Sequence, residues 1–173
     1  NAGTLTEAQM IANAEQAGRD LAAQVRRVVG AGGTHVVVAG TYDLGRSPWA
    51  TSINKVGLLS EASSRFNRTL LVDIVDLGDR VRYIDAALYF NQLINNPGNY
   101  SLNNSVTPVC TSVDSGNGIG IGAGQVNSAL CTPSTLVTGI DPNRYAFADP
   151  VYFTPVVNRL FGVYAYDQVR QRW

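Results

Sequence analysis

The sequence is poor in charged side chains and in histidine. Only 15 % of its residues are charged, its 13 basic residues balance its 13 acidic ones, and it contains a single histidine. Without a basic stripe, contacts to phosphates have no electrostatic support, so we expect no nucleic-acid partner. One histidine and two distant thiols make a poor metal site, and the sequence predicts neither a metal nor a cofactor.

Long apolar runs are also absent. No stretch approaches the roughly 18 apolar residues of a membrane helix, which predicts no transmembrane segment. The first residues do not form a basic and then apolar leader, so we expect any export signal to have been removed or to lie upstream of Asn1. With 45 % apolar residues, the chain of 173 residues is long enough for one domain, 1–173, with a sizeable core.

The two cysteines, Cys110 and Cys131, bracket a region rich in serine, glycine, asparagine and threonine. A disulfide between them would stabilise the fold by about 3 kcal/mol in the chain-entropy model, and free buried thiols are the alternative. A disulfide favours an oxidising compartment. Together with the few charges, it predicts a secreted, periplasmic or cell-surface protein.

Hydrophobic periodicity predicts alternating helices and apolar strands. Helices are predicted from a capping box at Thr4 and Glu7 to Gly30, and then over residues 53–68, 81–93 and 154–170. Strands are predicted over residues 34–39, 70–75 and 145–147, with loops over 42–48 and 97–140. The first two strands are mostly apolar, which is typical of strands buried on both faces of a parallel sheet. The order indicates an α/β domain.

Two strong strands are few for such a fold. A doubly wound sheet normally has about five strands. A pair of parallel strands cannot satisfy the backbone groups on its own outer edges. We therefore expect the chain to be part of a larger sheet, completed by a missing N-terminal half or by a second copy of the chain.

The segment 145–159 resembles the last sequence block of the SGNH (GDSL-type) ester hydrolases. In that family, the block carries an Asp-x-x-His pair, usually followed by Pro-Thr and a final helix. Asp149 stands at the position of the acid, but Tyr152 stands at that of the histidine, and Asn158 at that of a second frequent histidine. Weaker matches follow the family's order over residues 20–38, 42–48, 66–70, 71–73 and 96–100, and at Cys110.

This resemblance implies a flavodoxin-like, doubly wound parallel sheet with a long disulfide-bounded loop. The chain would be the C-terminal half of such a domain, because the family's nucleophilic serine and oxyanion-hole residues would precede Asn1. The implied function is that of the C-terminal portion of an exported esterase or lipase, inactive by itself. Asp149 would take the place of the triad acid, and the full-length chain would act on an ester or lipid.

Tyr152 motivates an alternative. A tyrosine hydroxyl normally titrates near pH 10 and an imidazole near 6.5, so tyrosine does not replace histidine as a base near neutral pH. The alternative is therefore a non-catalytic SGNH-like pseudoenzyme that binds a lipid, a glycan or a protein. In structural terms, Tyr152 is expected to be a packed aromatic residue, and Asp149 is expected to start a turn and to cap the last helix.

Other motifs have simpler interpretations. His35 is predicted to be a structural residue within the first strand, at the end opposite the site. Residues 114–117 contain an Asp-Ser pair but follow no apolar strand, and the glycine-rich run 118–123 is predicted to be a mobile loop. Turn and cap roles are predicted for three acids with ligand-like spacing, Asp73, Asp76 and Asp79. Core packing is the default for most of the aromatic residues that could mark a lipid surface, Trp49, Tyr89, Phe90, Tyr152 and Phe153.

Overall fold

The computed structural model of the protein describes residues 5–173. Its α-helices are α1 (Glu7–Gly30), α2 (Pro48–Ser52), α3 (Val56–Ile74), α4 (Ala86–Asn95) and α5 (Pro155–Arg170). Its strands are β1 (Val36–Ala39), β2 (Val81–Ile84), β3 (Asn104–Pro108), β4 (Val113–Asp114), β5 (Gln125–Val126) and β6 (Tyr145–Phe147). Helices α1 and α5 and strands β1 and β6 lie where the sequence predicts them.

The capping box of α1 is formed by different residues from those predicted. The Thr6 hydroxyl accepts a hydrogen bond from the Gln9 amide at 3.2 Å, and the Gln9 side chain accepts one from the Thr6 amide at 2.8 Å. The predicted partner Thr4 lies outside the described residues. The first orphan amides of the helix are thus satisfied two residues later than the pattern indicates.

The predicted strand at 70–75 is wrong, because these residues continue α3 to Ile74. Leu70 and Ile74 are buried one helical turn apart, whereas Val72 is exposed. The buried residues of this run therefore form the packing stripe of a helix, and the exposed residues between them are also apolar. The match of residues 71–73 to a strand of the SGNH family does not hold either.

The predicted helix over 81–93 is also wrong in its first part. Residues 81–84 form β2, and α4 begins only after Asp85, whose side chain accepts a hydrogen bond from the Leu88 amide at 2.9 Å. The helix predicted over 53–68 begins only at Val56, because Asn54, which has a φ of 53°, separates α3 from the preceding α2. The predicted loop 97–140 contains β3, β4 and β5.

The strands form two-stranded sheets, with β1 parallel to β2, β3 parallel to β6 and β4 antiparallel to β5. The mixed α/β prediction is confirmed, but the described residues do not form a doubly wound sheet. The prediction that β1 is buried on both faces is wrong, because Val38 is buried and Val37 is 48 % exposed. Within residues 5–173, the outer edges of the β1–β2 pair are not bonded to other strands.

An aromatic core fixes β6 between α4 and α5. Phe90 of α4 and Phe153 stack with their ring centroids 4.1 Å apart, and Phe147 of β6 stacks on Phe153 at 4.8 Å. Val157 of α5 closes this core and is fully buried. Tyr89 is buried in the same cluster, which confirms core packing for Tyr89, Phe90 and Phe153. The residues that follow β6 are therefore held on a rigid support.

Helix α1 packs its buried face against α3. Gly18 allows the close approach, since a Cβ there would lie 2.6 Å from the Phe66 carbonyl oxygen. The opposite face of α1 carries charged side chains and is exposed. None of the helices within residues 5–173 combines the length and the apolar character needed to cross a membrane.

The aromatic core yields a stability prediction. Phe147→Ala leaves a cavity at a site with 0 % exposure, so we expect it to lower the free energy of unfolding by about 3–5 kcal/mol. Val106→Ala, at a strand position that is 66 % exposed, should change it by less than about 0.5 kcal/mol. Urea denaturation of both variants measures the difference. Equal midpoints for the two variants would contradict the position of this core.

Candidate functional site

Asp149 follows β6 and is fully buried. Its Oδ1 accepts hydrogen bonds from the backbone amides of Val151, at 2.9 Å, and Tyr152, at 2.7 Å. Its Oδ2 accepts one from the backbone amide of Ser128 at 2.9 Å. Hydrogen bonds from amides to a carboxylate are charge-assisted, and they compensate for the burial of the carboxyl group.

These bonds define a turn over residues 149–152. The Ala148 amide donates to the Tyr152 carbonyl at 2.8 Å, and Phe147 forms an antiparallel bridge with Phe153. Asp149 therefore starts a turn through its own side chain, as its position before a proline predicts. It does not cap the last helix, because the N-cap of α5 is Thr154.

The Tyr152 side chain points away from this network and is 53 % exposed, so the prediction that it is a packed aromatic residue is wrong. It lines a shallow groove of about 390 Å³, which we call the Tyr152 groove. The other lining residues come from the disulfide loop and are Gly118, Ile119, Asn127, Ser128 and Ala129. Only the backbone amide of Tyr152, and not its phenol, bonds the Asp149 carboxylate.

The loop after β1 and the first turn of α2 support the turn from the other side. The Tyr42 hydroxyl donates to the Val151 carbonyl at 2.7 Å, and the Trp49 amide donates to the Pro150 carbonyl at 3.0 Å. Burial raises the pKa of Tyr42, and the negative charge of Asp149 raises it further. The neutral hydroxyl is therefore the form that holds the turn.

The disulfide between Cys110 and Cys131 is present, which confirms its prediction. The loop that it closes brings Ser128 to Asp149, across 21 positions of sequence. Asn127 is the residue before Ser128, and its side chain is held at both ends. Its Nδ2 donates to Asp114 at 2.8 Å, and its Oδ1 accepts from the Ala129 amide at 2.9 Å. One wall of the Tyr152 groove is thus set by hydrogen bonds within the disulfide loop.

Asp114 organises the glycine-rich run. It accepts hydrogen bonds from Asn127 and from the Gly116 amide, and these bonds hold its pKa below the usual range. Gly118 must lack a side chain, because a Cβ there would lie 2.2 Å from Asp114 Oδ2. Residues 114–117 therefore form a bonded turn at the end of β4.

No imidazole lies near Asp149. His35 precedes β1 rather than lying within it, and its ring contacts that of Trp173 edge-on with centroids 4.7 Å apart. Strand β1 runs from this end towards the loop that contains Tyr42, so His35 lies at the opposite end, as predicted. Asn158 of α5 donates weakly to the Phe153 carbonyl at 3.4 Å.

The three acids with ligand-like spacing do not converge. Asp76 pairs with Arg26, and Asp79 pairs with Arg172 at 2.7 Å. Asp73 lies within α3, so the turn or cap role predicted for it is wrong. In the part of the chain that the structure describes, no group of three or more His, Cys, Asp or Glu side chains is placed to hold a metal ion.

The structure adds residues that sequence reasoning misses, above all Tyr42 and Ser128. Both reach the 149–152 turn through one hydrogen bond each, although Tyr42 lies 109 positions from Val151 and Ser128 lies 21 positions from Asp149. The sequence signals are slight: Tyr42 begins the matched segment 42–48, and Asn127-Ser128 lies between the glycine-rich run and Cys131. Comparisons of this sequence with protein-family models and with curated proteins find no match.

The bonds of Asp149 predict a large cost of removing its side chain. Asp149→Ala leaves three amides without their acceptor, at about 1–3 kcal/mol each, so we expect a loss of at least about 3 kcal/mol in the free energy of unfolding. Asp167→Ala, on the exposed side of α5, should change it by less than about 0.5 kcal/mol. Chemical denaturation compares them, and a mild effect of Asp149→Ala would mean that the carboxylate does not hold the turn.

The raised pKa of Tyr42 predicts that the protein loses stability at alkaline pH. Its pKa is higher in the folded state, so its contribution is complete below the unfolded tyrosine pKa of about 10 and is lost as the pH rises through the folded value. Above pH 10, the wild-type protein should therefore lose about 1 kcal/mol more per pH unit than Tyr42→Phe. Unfolding free energies between pH 8 and pH 11 test this, with the exposed Tyr166→Phe as control. Parallel pH profiles for all three proteins would refute it.

Proposed function

We propose that this chain is an SGNH-like module that lacks catalytic competence by itself and acts by binding a ligand at the Tyr152 groove. The observation that carries the proposal is the state of the Asp149 carboxylate. It already accepts three backbone amides, it is fully buried, and no imidazole lies beside it. The single histidine of the chain lies at the other end of β1.

Acyl transfer by a serine nucleophile needs a base that is oriented by an acid through a side-chain hydrogen bond. A carboxylate offers about four lone-pair positions, and three of those of Asp149 accept hydrogen bonds from backbone amides. Its burial leaves no open side for an imidazole. In this chain, Asp149 holds the site together rather than tuning a base.

The Tyr152 groove has the character of a binding surface. An exposed phenol ring faces small side chains, and the polar groups of Asn127 and Ser128 lie beside the apolar Ile119. Exposed aromatic rings combine apolar area with a polar tip, which suits mixed ligands. A volume of about 390 Å³ favours an acyl chain or a sugar ring over a protein surface.

A second candidate is the C-terminal portion of an exported SGNH-type ester hydrolase whose nucleophile, oxyanion donors and base lie on another segment. The observation that favours it is the edge of the β1–β2 pair, which bonds to no other strand within residues 5–173, with Val37 exposed beside it. A further strand or a second copy pairing there would enlarge the sheet towards the doubly wound form. The disulfide is compatible with a secreted, periplasmic or cell-surface location.

The two candidates share a catalytic prediction. The chain and its Tyr152→His variant should both fail to hydrolyse nitrophenyl butyrate above the buffer rate, because a new imidazole would meet a fully buried carboxylate that already accepts three backbone amides. The assay follows nitrophenol release at pH 8. Turnover that disappears in Asp149→Asn would refute the non-catalytic proposal.

The binding proposal is tested separately by amide shifts in two-dimensional NMR during titration with monomeric octyl glucoside. Shifts are expected at residues 118–119 and 127–129, and Tyr152→Ala should weaken binding by about 5–10-fold through loss of the aromatic contact. The matched control is Tyr166→Ala, since Tyr166 is 60 % exposed on α5. Equal affinities of the two variants would exclude the Tyr152 groove.

A further inference from the structure

A second and larger depression lies on the other side of the loop that follows β1. Tyr42 of this loop contacts the 149–152 turn, whereas the next residue, Asp43, lines the depression. Its other walls come from α3, from the end of β2 and from α4, and it encloses about 540 Å³. We call it the α3–α4 cavity. It lies at the carboxyl ends of parallel strands, where open α/β sheets usually bind ligands.

The polar groups of this cavity are fixed in place. The Asn67 carboxamide accepts from the Thr41 amide and donates to the Thr41 carbonyl, each at 2.8 Å. Asp43 accepts from the Ser60 hydroxyl at 2.7 Å and from the Gly45 amide at 3.0 Å. Two hydrogen bonds to each of these side chains prevent them from rotating freely. A rigid polar wall binds a ligand with little ordering cost.

Gly40, which directly follows β1, lies close to two polar side chains of the cavity lining. A Cβ at this position would lie 2.2 Å from the Tyr83 hydroxyl oxygen and 2.6 Å from Asn67 Oδ1. Any other residue at position 40 would displace the phenol, the carboxamide or both. The absence of a side chain at the end of β1 therefore lets two polar groups approach the strand ends together.

The cavity also has hydrogen-bonding capacity that the protein does not use. Asn91 lines it, and the buried Oδ1 of Asn91 has no partner within residues 5–173. An unpaired buried acceptor costs free energy, and rotation of the terminal amide would present it to an incoming donor. Asp85 uses Oδ1 to cap α4, which leaves its second oxygen available as an acceptor.

The charges of the lining select among ligands. Three carboxylates, those of Asp43, Glu61 and Asp85, line the cavity beside one guanidinium, that of Arg68. Arg46 and Arg65 pair with Asp43 and Glu61 from outside the lining, so the cavity carries no excess of positive charge that would favour a phosphate or a carboxylate. Leu71 is the one large aliphatic side chain of the lining, which provides little area for an acyl chain. Serine, asparagine and tyrosine groups both donate and accept, as sugar hydroxyls do. We infer that the α3–α4 cavity binds a neutral polyhydroxylated ligand of monosaccharide size.

The test is an amide-shift titration of the isotope-labelled chain with D-glucose, and with glucose 6-phosphate as the anionic comparator. Saturable shifts from glucose are expected at residues 60–68 and 83–91, with weaker binding of the phosphate. Tyr83→Phe and Ser64→Ala should each weaken glucose binding by about 5–10-fold, since each removes one hydroxyl partner. Tyr166→Phe, on α5 and outside the cavity, is the matched control and should bind as the wild type does.

Three results would overturn the inference. These are shifts that do not saturate, tighter binding of glucose 6-phosphate than of glucose, and unchanged affinity in both Tyr83→Phe and Ser64→Ala. The cavity shares no lining residue with the Tyr152 groove, so shifts confined to residues 118–119 and 127–129 would also refute it. Failure of either proposal therefore leaves the other open to its own test.

Discussion

The hydrogen bonds from three backbone amides to the buried Asp149 carboxylate connect the parts of this structure that surround the candidate site. One bond reaches Ser128 of the disulfide loop, and two close the turn that leads into α5. A buried carboxylate is tolerated only when its lone pairs are satisfied. Its burial and its bonds therefore require each other, and a base would have to compete with the backbone for it.

Two further constraints hold this arrangement in place. The stacked rings of Phe90, Phe147 and Phe153 prevent β6 and the segment after it from shifting. The disulfide limits the distance that the loop carrying Ser128 can move from β6. The 149–152 turn lies between these supports, with Tyr42 bonded to its outer side. An exposed Tyr152 on a rigid turn is well suited to binding and poorly suited to proton transfer.

The sequence predicts long periodic elements and fails on short apolar runs. Helices α1 and α5 have enough turns for their periodicity to be unambiguous, whereas residues 70–75 fit a strand as well as a helix until the packing of Leu70 and Ile74 decides. In the same way, the sequence does not predict β2, because the spacing of its apolar residues also suits a helix. The turn that Asp149 starts is predictable from a local motif, because Asp149 precedes a proline. The hydrogen bond from the Ser128 amide to Asp149 is not predictable in this way, since only the folded disulfide loop brings Ser128 near Asp149.

We conclude that the Asp149 carboxylate belongs to the backbone network. Native-state hydrogen exchange of the amides of Ser128, Val151 and Tyr152 tests this most directly. All three should be protected together, with opening free energies close to that of global unfolding, although two of them lie in a turn. In Asp149→Asn, protection of the three should fall while that of α1 is retained. Rapid exchange of these amides in the wild-type protein, with α1 still protected, would contradict the account.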